Sequence, residues 1–212
     1  MTAATLRRKW AWILAAYGAI LAADPLCVYL TLGPVDGRTI GLLEVAMVFA
    51  MLGVSITAAV SPILLLSHAT RRAGLLAFAF SATLALTLYG SLRLGNLLWH
   101  RMLFHVTERS EPLVAAIQTY AKEQGKPPKD LAALVPHYIA SIPGTGMGAY
   151  PRYKYFVGKE RSSDERNPWL LTIEMFEPFQ WDEFMYFPNQ EYPDSGYGGG
   201  FERIGTWGYL HE

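Results

Sequence analysis

One cysteine, Cys27, is all the thiol chemistry in this chain of 212 residues. It lies inside an apolar run, so no intrachain disulfide can form and the count favours neither an oxidising nor a reducing compartment. Metal-type Cys/His pairs are missing too: His100 and His105 stand five apart and share no helix face. Charge is the second scarcity. The first hundred residues hold seven Lys/Arg against three Asp/Glu, and the remainder eleven against fifteen. The neutral total is therefore a basic, nearly uncharged half (+4) joined to a mildly acidic one (−4). An acidic segment of about 110 residues is a poor partner for nucleic acid, but it can enclose one modest core. No nucleophile motif accompanies the histidines, and Gly198-Gly199-Gly200 has neither the strand–loop–helix context nor the lysine of a phosphate cradle. The sequence nominates no catalytic residue, no cofactor-binding residue and no metal ligand.

What the chain has instead is long apolar runs. Arg7-Arg8-Lys9 precede a stretch reaching Leu32, with Pro25 bending its far end; apolar character resumes after Asp24-Pro25, so an uncleaved spanning helix is expected rather than a secretory signal. Gly33-Pro34-Val35-Asp36-Gly37 is a turn, and the second run extends from Thr39 to Leu66. After Ser67 to Arg72 a third begins. Residues 10–32, 39–66 and 73–100 are thus read as transmembrane helices, because buried helices of soluble proteins rarely stay uncharged so long. The short-loop cations Arg7, Arg8, Lys9, Arg71 and Arg72 fall on one side, which puts the N-terminus in the cytoplasm and residues 103–212 across the bilayer. In a bacterial inner membrane that side is the periplasm. Small residues recur every four positions (Ala11, Ala15, Ala19, Ala23; Gly53, Thr57, Ser61; Ala73, Ala77, Ser81, Ala85), a spacing suited to close helix approach in lipid.

Three charges lie within the spans. Asp24, Glu44 and Arg93 all fall about 8–12 Å below the outer surface at 1.5 Å per residue. A charge at that depth is costly unless paired or in reach of water. An ion pair of Arg93 with Glu44 or Asp24 would pin the helices together; separate snorkelling of each side chain is the alternative. A single shallow cluster without a polar track across the inner half argues against transport.

Residues 103–212 read as a small α+β domain. Ser110 is suited to cap a helix with Pro112 in its first turn, burying Leu113, Ala116, Ile117, Tyr120 and Ala121 and stopping at Gly125. Asp130 opens a short helix with Leu131, Leu134 and Val135 inward, and residues 137–142 form an extended link between Pro136 and Pro143. Strands are expected at 152–157, 168–176, 183–187 and 203–211, with a long surface loop at 188–200. Glu174, Glu177, Asp182, Glu183, Glu191 and Asp194 lack the spacing of a calcium site or a carboxylate pair; a solvated sheet edge accounts for them better. His137 and His211 stand alone. Tyr192, Tyr197, Phe201 and Trp181 are the candidate partner surface.

The pattern from Ala116 to Pro143, Ala-Ile-x-x-Tyr-x-x-x-x-Gly-x-x-Pro-x-x-Leu-x-x-Leu-Val-Pro-x-Tyr-Ile-x-x-Ile-Pro, with Tyr153-Lys154-Tyr155 where a first strand would follow, resembles the globular part of type II secretion major pseudopilins and type IV pilin-like proteins. The resemblance implies a pilin-like extracytoplasmic domain in which an amphipathic helix packs on a small antiparallel sheet. The chain departs from that family in having three spans and no Gly-Phe-Thr-Leu processing site, and no residue matches the family's calcium site. The resemblance implies a fold more than a function.

Together these features suggest a three-span anchor, residues 1–102, carrying a periplasmic pilin-like domain, residues 103–212. The function expected is non-catalytic: display of that domain to a membrane or periplasmic protein, with the lipid bilayer as the other partner and no nucleic acid. The alternative is an accessory subunit held in a membrane enzyme complex through its spans. A periplasmic hydrolase has no constellation behind it.

Overall fold

The structure, a computed structural model, describes residues 3–34, 41–158, 167–177, 180–192 and 200–211. Its elements are α1 (Ala3–Leu32), α2 (Gly41–Leu65), α3 (Arg71–Gln124), a 3-10 turn (Leu131–Leu134) and strands β1 (Lys154–Val157), β2 (Trp169–Glu177), β3 (Gln180–Tyr186), β4 (Gly200–Ile204) and β5 (Trp207–His211). They group into two compact units: Met1–Thr31 with Asp36–Trp99, and Leu32–Val35 with His100–Glu212.

In the first unit, all three helices are long and apolar enough to cross a membrane. Trp12, Leu14, Phe49, Leu76 and Leu86 turn outward along them, an apolar surface unsuited to water. The four-residue ladders do not describe the packed faces. On α3 the covered positions are Gly74, Ser81, Leu88, Ser91 and Gly95, closer to the seven-residue repeat of helices crossing at a shallow angle. Of the expected ladders, Ser61 and Ser81 are covered, while Ala11, Ala15, Ala19, Gly53, Ala73 and Ala85 are exposed. Tyr17 Oη lies 2.8 Å from Thr83 Oγ1, and a Cβ on Gly90 would sit 3.2 Å from Leu21 Cδ1, so α1 and α3 touch side by side. Pro25 stays inside α1 and Pro62 inside α2.

The second unit departs from expectation first in its helix. No new helix starts at Ser110; α3 runs unbroken from Arg71 to Gln124 with Pro112 inside it. Ser110 caps nothing. Its hydroxyl donates to the Val106 carbonyl (2.6 Å) and lies 2.8 Å from Tyr153 Oη. The reason is periodic: Leu103, Val106, Ser110, Leu113 and Ile117 are all buried at alternating three- and four-residue steps. That stripe carries the helix past Pro112, which sits on the exposed side and removes one hydrogen bond. Gly125, at φ 69°, ends the helix as expected. Asp130 caps the 3-10 turn by accepting from the Ala133 amide (3.0 Å). Leu134 is buried but Val135 is exposed, and residues 135–138 turn rather than extend.

The sheet is wholly antiparallel, in the order β1-β2-β3-β5-β4. The stretch expected as one strand at 203–211 is a hairpin: Gly205, at φ 61°, and Thr206 make the turn between β4 and β5. Register places Tyr155, Leu171, Ile173, Phe184, Tyr186, Trp207 and Tyr209 on one face. Their rings meet across the strands, with Trp169–Tyr186 at 5.5 Å and Phe184–Trp207 at 5.0 Å between centroids. The α3 segment after His100 lies on this face: Gln118 Nε2 donates to Tyr186 Oη at 3.1 Å, and Ser110 meets Tyr153. The opposite face carries a second, smaller cluster of Leu170, Met185, Phe187 and Leu210, with Phe156, Tyr192 and Phe201 packed against it. Asp182 and Glu183 are therefore not a solvated edge. They lie on β3, between β2 and β5, and both are buried.

Candidate functional site

Of the three charges expected within the apolar helices, Asp24 is the one whose surroundings the structure describes most fully. Its amide donates to Ser91 Oγ at 3.2 Å, and its carboxylate lies over Gly95, where a Cβ would come within 1.6 Å of Asp24 Oδ2. A residue with no side chain is what lets the carboxylate lie against α3. Arg93, two positions from both Ser91 and Gly95, falls on another side of the helix and is exposed. Among the described residues no ion pair joins it to Asp24. The Glu44 side chain lies outside the described residues, and so does that half of the expected pair.

Of the candidate partner surface, Tyr197 and the Trp181 side chain also lie outside the described residues. Tyr192 and Phe201 serve the domain's own packing. The Tyr192 ring is 4.9 Å from Phe187 and 6.1 Å from Phe201, with the Arg203 guanidinium 3.9 Å above it. Its hydroxyl donates to the Thr206 carbonyl and accepts from the Phe187 amide at 3.4 Å. Burial pushes its pKa up to about 12, against the Phe187 hydrogen bond and the Arg203 charge, which pull it down. Gly208 makes room for this ring: a Cβ there would lie 2.7 Å from Tyr192 Cδ1 and Cε1.

A polar cluster in the second unit was invisible in the sequence. Glu202, on β4, receives His100 of α3 at 2.7 Å on Oε1 and His211 of β5 at 3.4 Å on Oε2. The hydrogen bond from His100 holds the Glu202 carboxyl below its ordinary range, aided by His211 and opposed by burial. All three side chains are roughly half exposed. Beside them the Tyr209 ring sits edge-on to His211 at 4.6 Å and its hydroxyl donates to Asp182 Oδ2 at 2.6 Å. Only a hairpin reading of 200–211 could have found part of this cluster, since opposing Glu202 with Tyr209 puts Glu202 and His211 on one face. His100 is 102 residues away, and no local pattern signals it.

His105 pairs instead with Glu108 on its own helix at 2.9 Å, and Lys154 with Glu174 across β1 and β2. An open groove of about 410 Å³ lies between α3 and the turn at 135–138, lined by Pro112, Ala115, Thr119, Glu123, His137 and Tyr138. Among the described residues no three of His, Cys, Asp and Glu are grouped to hold a metal ion. No protein-family model, no curated protein and no solved structure matches this chain.

Proposed function

We propose that this protein is a non-catalytic, three-span inner-membrane protein that displays a pilin-like periplasmic domain to a protein partner in the envelope. The observation that carries the reading is the pairing of three apolar helices with a separately cored helix-and-sheet unit, through a helix of 54 residues that belongs to both. At 1.5 Å per residue, α3 is about 80 Å long, more than twice what hydrocarbon requires. The surplus carries the Leu103–Ile117 stripe on which the sheet packs. The pilin-like part of the reading comes from the pattern at 116–143, which calls for such a helix over an antiparallel sheet. The orientation comes from Arg7, Arg8, Lys9, Arg71 and Arg72.

A reporter active only outside the cytoplasm, fused after Glu212, tests the display: activity at normal expression is expected, and an inactive fusion at that level overturns it. Crosslinking in native membranes followed by mass spectrometry identifies the partner. Contacts mapping to 100–212 are expected. Contacts confined to α1 and α2 would instead favour an accessory subunit held through its spans.

A further inference from the structure

We propose that His100, Glu202 and His211 form a proton-operated clasp that holds the β4–β5 hairpin against α3 while an imidazole is charged and slackens when both are neutral. The geometry is the warrant. α3, β4 and β5 each send one titratable side chain to the same point, at the end of the hairpin away from its turn, and each imidazole Nε2 addresses a different oxygen of one carboxylate. The half exposure of all three leaves them open to proton exchange with water. Among the described strands β4 lies at an edge and pairs only with β5, so its tie to the helix matters more than a tie from a central strand would.

Among the described residues, the groups hydrogen-bonded to the Glu202 carboxylate are His100 from α3 and His211 from β5. Behind His211, Tyr209 is engaged by Asp182 of β3; Arg203, next in β4, stands over Tyr192 on the other face of the sheet. Neutral imidazoles can still donate a hydrogen bond, so the change is a loss of charge assistance rather than of contact. Its sign follows from linkage. Charge on an imidazole strengthens its hydrogen bond to an anionic partner, and histidine side chains in general give that charge up between about pH 5 and 8. The carboxyl of Glu202, held low, sets the opposite bound: its contribution is present above the ordinary carboxyl value and fades as pH falls through the lowered one. The clasp is tightest between those limits.

Deuterium uptake of the full chain in detergent micelles, with labelling times scaled for the intrinsic pH dependence of exchange, reads the hairpin directly. Protection of amides in 200–211 is expected to drop roughly two- to fivefold between pH 5.5 and 8, with β1–β3 unchanged. Glu202→Gln is expected to abolish the difference. Should that variant lose protection throughout the sheet, the double variant His100→Gln, His211→Gln takes its place with the same expectation. Equal protection at both pH values in the unaltered chain overturns the proposal. So does a step that survives in the variants, or one shared by every strand.

Discussion

Two glycines define their neighbourhoods by what they leave out. Gly95 accommodates Asp24, and Gly208 accommodates the Tyr192 ring. Gly95→Ala is expected to destabilise the first unit by about 1–3 kcal/mol through overpacking, and adding Asp24→Ala should recover much of that loss. Thermal unfolding of the full chain in detergent, run as a double-mutant cycle, measures the coupling; additive losses would show that the two residues act separately. Gly208→Ala is expected to cost the second unit a similar ~1–3 kcal/mol, because the obstructing atoms belong to a ring anchored at both hydroxyl and face. Tyr192 itself predicts an alkaline effect. Its raised pKa means that its contribution is complete below the ordinary tyrosine value, about 10, and is lost as pH climbs through about 12. Tyr192→Phe should flatten that part of the stability profile, as followed by tyrosinate absorbance alongside unfolding. Neither glycine role could be read from the sequence, since each depends on a side chain from a distant segment.

At the scale of elements, α3 shows where local signals mislead. Ser110 and Pro112 are a sound helix start by themselves, yet the buried stripe from Leu103 to Ile117 keeps its period through them, and tertiary burial prevails over the cap. Pro112→Ala is therefore expected to raise the thermal midpoint, by the equivalent of about 1 kcal/mol or more, because a lost backbone hydrogen bond returns and no packed atom is removed. Leu113→Ala, one residue on, should cost about 2–5 kcal/mol. The three long apolar helices were legible because runs of that length without charge have few other readings. The β4–β5 hairpin was not, because its turn, Gly205-Thr206, is short and sits within an aromatic, strand-forming stretch. The acidic residues of β3 were assigned to an edge because charge alone says nothing about strand order; placement between β2 and β5 covers Asp182 and Glu183 on both sides.

For the whole molecule, the chain passes from one compact unit to the other between Trp99 and His100, and the end of α1 belongs to the second unit. Leu32 and Gly33 are buried within the second unit, and the Gly33 carbonyl accepts from the Gly148 amide at 2.7 Å. Around that bond, Thr145, Met147 and Ala149 are buried as well. A fragment beginning at residue 103 would thus leave the 145–149 segment without the neighbour that Gly33 supplies from far upstream, and would expose a backbone donor that the intact chain satisfies. Cutting residues 103–212 from the rest of the chain does not yield a smaller copy of the same body. Excised in that way it should be soluble only with difficulty, and a peptide spanning the tail of the first helix, added in trans, ought to improve its behaviour.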